Sequence, residues 1–216
     1  MFAGHLGAAL ILKRADRGLS LGTLFLGAML LDVVLWILVL FGFESVKVPA
    51  NYKRFSDITF VFPYSHSLLA SVLWAAGGYF VCRALLQKHP NRLRAGLTVA
   101  AAISSHFLLD WLVHPAELPL AGNDSVKTGL GLWRSLPLAW AFEGLLMISG
   151  LWAYTRTHRI TIGRLSTLII VMVLVTTLTF LGQASTAQPP DSKTMAASSL
   201  MMIGIITGFG WWLDRK

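Results

Sequence analysis

Cysteine is all but missing from this chain. Cys82 is the only one in 216 residues, and it lies inside an apolar run. An intrachain disulfide is therefore excluded, as is a zinc cluster held by several thiolates. Charge is also scarce: 13% of the residues are Asp, Glu, Lys or Arg, against 55% hydrophobic. With a mean hydropathy of +0.65, such a chain does not make an ordinary water-soluble domain. The net charge of +8 does not argue for nucleic acid, because basic loops beside membrane spans produce the same excess. Positive charge is lacking ahead of the first apolar stretch. Lys13 and Arg14 follow Met1–Leu12 instead, the reverse of a signal peptide. Internal repeats and low-complexity linkers are lacking too, so residues 1–216 read as a single integral membrane domain.

What the chain does have is apolar runs of membrane-spanning length, about 20 residues each. Leu19–Phe41, His66–Val81, Ala95–Val113, Leu136–Tyr154, Leu165–Leu181 and Met195–Leu213 read as six transmembrane helices. Phe2–Leu12 is too short to span and reads as an interfacial or re-entrant helix. The expected fold class is an all-α polytopic bundle of about six transmembrane helices plus this short N-terminal helix. Small residues in the last span (Ala196, Ala197, Ser198, Gly204, Gly208) suit close helix packing.

The loops suggest an orientation. Segments 13–17, 83–94, 156–164 and 214–216 hold twelve Lys/Arg and two acids, whereas 43–65, 115–134 and 182–194 hold six Lys/Arg and five acids. By the positive-inside rule both termini are expected in the cytoplasm of a bacterial inner membrane.

Lysine and arginine are absent from the spans, yet acids are not: Asp32, Asp110 and Glu143 each interrupt an apolar run. A buried acid must be protonated, hydrogen-bonded or neutralised by a cation. Histidines accompany these acids. His106, Asp110 and His114 are spaced i, i+4, i+8, along one face of a helix. His66 heads the second span within Ser65-His66-Ser67, and His5 follows Gly4 in the short first helix. Histidine with carboxylate is a borderline ligand set suited to zinc, manganese or iron. His89 and His158 lie in basic loops and read as ordinary.

Gly4-His5, the lone acid of Leu30-Leu31-Asp32, Ser65-His66-Ser67 and Ser105-His106-x-x-x-Asp110 occur in that order. Over about the first 115 residues this pattern resembles the YdjM-type, LexA-regulated inner-membrane proteins, regarded as membrane-bound metal-dependent hydrolases. More distantly it is similar to zinc-dependent phospholipase C, an all-α enzyme with a multinuclear zinc site. The resemblance implies His5, Asp32, His66, His106 and Asp110 as metal ligands, with His114 and Glu143 as further candidates. The family's Pro-Asp-Ile-Asp-His-like run is replaced here by Leu31-Asp32-Val33-Val34, so a second acid and a histidine are missing.

On this reading the chain is a hydrolase with a divalent metal, zinc or manganese, between the midplane and the outer surface. Its general base is Glu143 or Asp32. The expected substrate is a lipid phosphoester reached from the membrane. Loop Phe43–Ser65 covers the site, its Phe60, Phe62 and Tyr64 at the headgroup level and its Lys47, Lys53 and Arg54 available to phosphate. Two other classes stay open: a cation or proton carrier using the same groups as a relay, and a haem protein with facing axial histidines.

Overall fold

In the computed structural model, which describes residues 1–215, the chain is an all-α bundle carrying two very short hairpins. The helices are α1 (Phe2–Leu12), α2 (Leu21–Ala28), α3 (Leu30–Leu40), α4 (Leu68–Leu85), α5 (Arg92–Val113), α6 (Leu136–Thr157), α7 (Ile162–Ala184) and α8 (Ser192–Leu213). The last five are each long and apolar enough to cross a membrane; α2 and α3 together make a sixth, bent by 55°. Side chains at helix starts account for many of the boundaries. Ser20, Ser67, Asn91, Thr161 and Asp191 each accept a backbone N–H of the first turn of α2, α4, α5, α7 and α8.

The first span thus departs from the expected continuous helix. It breaks at Met29, and Asp32 falls in the first turn of its second half. The break interrupts the i to i−4 ladder, so the Ala28 carbonyl is free to accept from elsewhere.

Helix α1 is no interfacial element. Ala3, Leu6, Ala9 and Leu10 are fully buried, and it runs through the bundle interior against α6, with α2 and α5 on its flanks. Gly7 and Gly150 make this crossing close: a Cβ at Gly150 would stand 2.5 Å from the Gly7 carbonyl oxygen. Gly22 and Gly210 do the same for α2 and α8, where a Cβ on Gly210 would stand 2.7 Å from the Gly22 Cα. Backbones approach this closely only where side chains are minimal, the usual device for packing helices in lipid.

Loops sort to the two ends as their composition suggests. At one end Lys13 pairs with Asp214, Asp16 lies against His89 and Arg94, and Arg164 donates to the Leu213 and Arg215 carbonyls. At the other, β1 (Ser45–Lys47) pairs antiparallel with β2 (Thr59–Val61), bringing Val46 opposite Phe60. There Glu117 accepts from the Phe60 N–H, and Tyr52 donates to the Ser185 carbonyl. A second hairpin joins β3 (Leu118–Pro119) to β4 (Lys127–Thr128). The C-terminal Asp214 lies at the basic end. Met1 is buried in the bundle, its amine 3.6 Å from Asp110 Oδ1.

Candidate metal centre

Four histidines and two aspartates from four stretches of chain meet beneath the first hairpin. His106 and Asp110 come from one face of α5, as their four-residue spacing dictates, and both are buried. His66 lies just before α4 rather than on it. Its two serine neighbours divide the work: Ser67 caps the helix, while Ser65 holds the imidazole. His114 leaves the stripe as well. Pro115 forces the residue before it into extended conformation, so α5 ends at Val113 and His114 turns off as its cap (φ −67°, ψ 145°). Asp32 comes from the broken span and His5 from α1.

Distances show what converges. The Nε2 atoms of His66 and His106 are 3.1 Å apart. Asp110 Oδ2 lies 3.2 Å from His106 Nε2, 3.5 Å from His66 Nε2 and 3.8 Å from His114 Nε2. Asp32 Oδ1 lies 3.6 Å and 3.7 Å from the Nε2 atoms of His66 and His106. On the other side of Asp110, Oδ1 is 3.1 Å from His5 Nε2 and 3.6 Å from the Met1 amine. The His5 ring stacks on His106 with centroids 3.8 Å apart. Two groups, His66–His106–Asp110 and His5–Asp32–His106, each place three ligand atoms close enough to share one ion.

The partners outside the cluster set the proton on each ring. His106 Nδ1 lies 2.6 Å from the Ala28 carbonyl, which can only accept, so Nδ1 carries the hydrogen. Ser65 Oγ gives its hydrogen to Glu44 at 2.7 Å and therefore accepts from His66 Nδ1, also at 2.7 Å. His114 Nδ1 donates to the Glu117 carboxylate at 2.7 Å. Three imidazoles thus present bare Nε2 lone pairs to one another and to the Asp110 carboxylate. Acceptors facing acceptors repel, and among the described residues no Lys or Arg pairs with Asp32 or Asp110. The donor set therefore suits a cation bound among these atoms. Holding Nδ1–H from outside while Nε2 points inward is how proteins orient histidine ligands.

Glu44, Glu117 and the Ala28 carbonyl were not candidates on sequence. The two glutamates lie in loops, where an acid is ordinary. Their spacing to His66 and His114 becomes meaningful only once the hairpin has folded. Glu44 also accepts from the Tyr64 and Ser65 N–H groups at 2.8 and 2.9 Å. It lies outside the spans, and burial pushes its carboxyl above the ordinary glutamate range, against those hydrogen bonds.

His5 differs from the other three. Its Nε2 faces Asp110 Oδ1, and its buried Nδ1 has no partner. Glu143 stands apart from the cluster: Oε1 accepts from Gln183 Nε2 at 3.1 Å and Oε2 from the Gly4 N–H at 3.4 Å. Both of its oxygens tie α1 to α6 and α7, and it does not line the cavity described next.

A cavity of about 700 Å³ opens beside the cluster. Asp32, His66, Asp110 and His114 form its polar floor. Tyr52, Phe55, Ile58, Phe60 and Phe62 of the first hairpin loop roof it, as expected for a loop leading into His66. Arg54, by contrast, is turned to Asp57, its Nε 3.3 Å from Oδ1. Comparison with family models, curated proteins and solved structures finds no match to this chain, so the centre is read from its own geometry.

Proposed function

We propose that this chain is a membrane-embedded metal-dependent hydrolase of phosphoesters, with its centre at His66, His106 and Asp110. One observation carries the reading: ligand atoms of His66, His106 and Asp110 lie close enough to share one ion, with Asp32 Oδ1 within 3.7 Å of both imidazole Nε2 atoms. Asp32 and His5 would complete the ligand set, and His114 would join through Nε2. Zinc is the ion such a set favours, with manganese as the alternative. The bound ion would polarise a phosphoryl oxygen and lower the pKa of water near it.

The chain's own residues supply the rest. Ser65, Glu117 and the Ala28 carbonyl hold three imidazoles by Nδ1 and aim their Nε2 atoms inward. Asp32, whose side chain is 21% exposed, lines the cavity, and with Oδ1 turned to His66 and His106 its Oδ2 would be the oxygen able to take a proton from an attacking water. The Phe60 and Phe62 roof excludes bulk water, which strengthens electrostatic interactions at the floor. Glu143 positions α1, and through it His5. The likeness of Gly4-His5, Asp32, Ser65-His66-Ser67 and His106-x-x-x-Asp110 to the YdjM-type proteins agrees with this assignment. The basic-loop asymmetry supports a centre in the outer half of a bacterial inner membrane, near the external surface.

The deciding experiment is elemental analysis of detergent-purified protein, wild type beside His106→Ala, together with phosphate release from an anionic phospholipid. The expected result is stoichiometric metal and turnover in the wild type, with both lost in the variant. A carrier would instead show cation or proton flux in liposomes without turnover. A Soret band would indicate haem. Either result would replace the hydrolase reading.

A further inference from the structure

The cavity does not end at the polar floor. It continues between α7 and α8, where Val175, Leu178 and Gly182 face Met195, Ser199 and Met202. These helices are consecutive, yet they make little contact along the gap; Arg164 of α7 reaches the Leu213 carbonyl of α8 only at the far end. Helix α7 leans on α6 and α1, and α8 leans on α2 and α3. Two hydroxyls along the gap are satisfied within their own helices: Thr179 Oγ1 donates to the Val175 carbonyl at 2.8 Å and Ser198 Oγ to the Met195 carbonyl at 3.0 Å. The walls consequently present few free donors, and small residues keep the gap open. Leu178, which lines the gap, is 48% exposed.

This cavity is polar at one end and apolar along the other, the polarity of a single amphiphile. Its volume lies within the range of about 300–1,000 Å³ typical of sites that enclose most of a small ligand. We propose that the gap between α7 and α8 holds the hydrocarbon chain of a lipid phosphoester. The lipid enters sideways from the outer leaflet and lays its phosphate against Asp32, His66 and Asp110. The assignment of the phosphate end rests on the hydrolase reading; the chain slot rests on the α7–α8 gap itself.

The test is photolabelling in phosphatidylcholine nanodiscs containing a trace of phosphatidic acid with a diazirine midway along one acyl chain. Mass spectrometry locates the label, and metal content is measured on the same samples. Gly182→Trp places a ring in the slot, and Gly204→Trp serves as control. A Cβ meets open space at both positions, so both variants should fold. Label is expected at residues 175–182 and 195–202, abolished in Gly182→Trp and retained in Gly204→Trp, with metal unchanged in both. Label spread evenly over the lipid-facing residues of α4 and α6, or equal in the two variants, overturns the slot. Labelling needs neither metal nor turnover. A labelled slot in a metal-free, inactive protein would leave the slot standing and remove the hydrolase. Bound metal with an unlabelled slot would do the reverse.

Discussion

The chemistry of this centre is decided by which nitrogen of each histidine carries its hydrogen. Removing an inward ligand should be severe: alanine at His66, His106 or Asp110 is expected to strip the metal and lower thermal stability together, as read by elemental analysis and melting curves. Unchanged metal in all three variants would dismiss the centre. Removing an outward partner should be milder. Glu117→Ala leaves His114 Nδ1–H without its acceptor, and Ser65→Ala does the same for His66. Each is expected to weaken metal affinity by about 10- to 100-fold, measured by competition with a chelator, without abolishing binding. The residues of the cluster were legible in the sequence, because an acid or a histidine inside an apolar run is costly and needs a reason. The partners that orient them were not, since nothing local distinguishes Glu44 or Glu117 from any loop acid.

At the scale of elements, the close crossing of α1 and α6 does what no ligand can do alone: it seats His5. Gly150→Ala would push a methyl into the Gly7 carbonyl. The expected cost is about 1–3 kcal/mol, with lowered metal content although every ligand is intact. Gly144→Ala, on the same helix with open space around its Cβ, should change neither. The hairpin roof has its own titration. Asp57 accepts from the Lys53 and Arg54 N–H groups at 3.0 and 3.1 Å. The Lys53 N–H first, then Arg54, holds its carboxyl below the ordinary aspartate range. The folded form therefore binds this proton less readily than the unfolded chain. Its contribution to the turn is full above the unfolded aspartate value and is lost as pH falls through the depressed one. Carboxyl NMR of Asp57 should find that lowered midpoint, and Asp57→Asn should remove it. Span number and position were readable from hydropathy, but the break at Met29 was not. Met29 is neither proline nor glycine, so nothing local in the sequence marks the bend. The turn of His114 off α5 was written in the chain, in Pro115, but the i, i+4, i+8 stripe drew attention away from it.

For the whole molecule, the two sets of loops gather at opposite ends, as a six-span bundle with α2 and α3 forming one span requires. Reporter fusions after Lys88 and Arg159 are expected to read cytoplasmic, and those after Asn51, Asn123 and Gln188 external. An external signal at Lys88 would invert the molecule and move the centre to the inner leaflet. The general arrangement was legible because the bilayer leaves a chain few options. Long-range seating was not, because hydropathy is blind to which apolar helix lies against which. The burial of α1 carries a consequence for how the protein is made. This helix is synthesised well before Leu136, where the helix that covers it begins. Through most of translation its Gly7 face has no surface to meet, and His5 and Asp32 wait without the cluster residues that α5 brings later. Assembly of the centre is thus a late event of biogenesis. Chains halted before α6 should expose α1 to membrane proteases and never acquire metal, however complete their other ligands are.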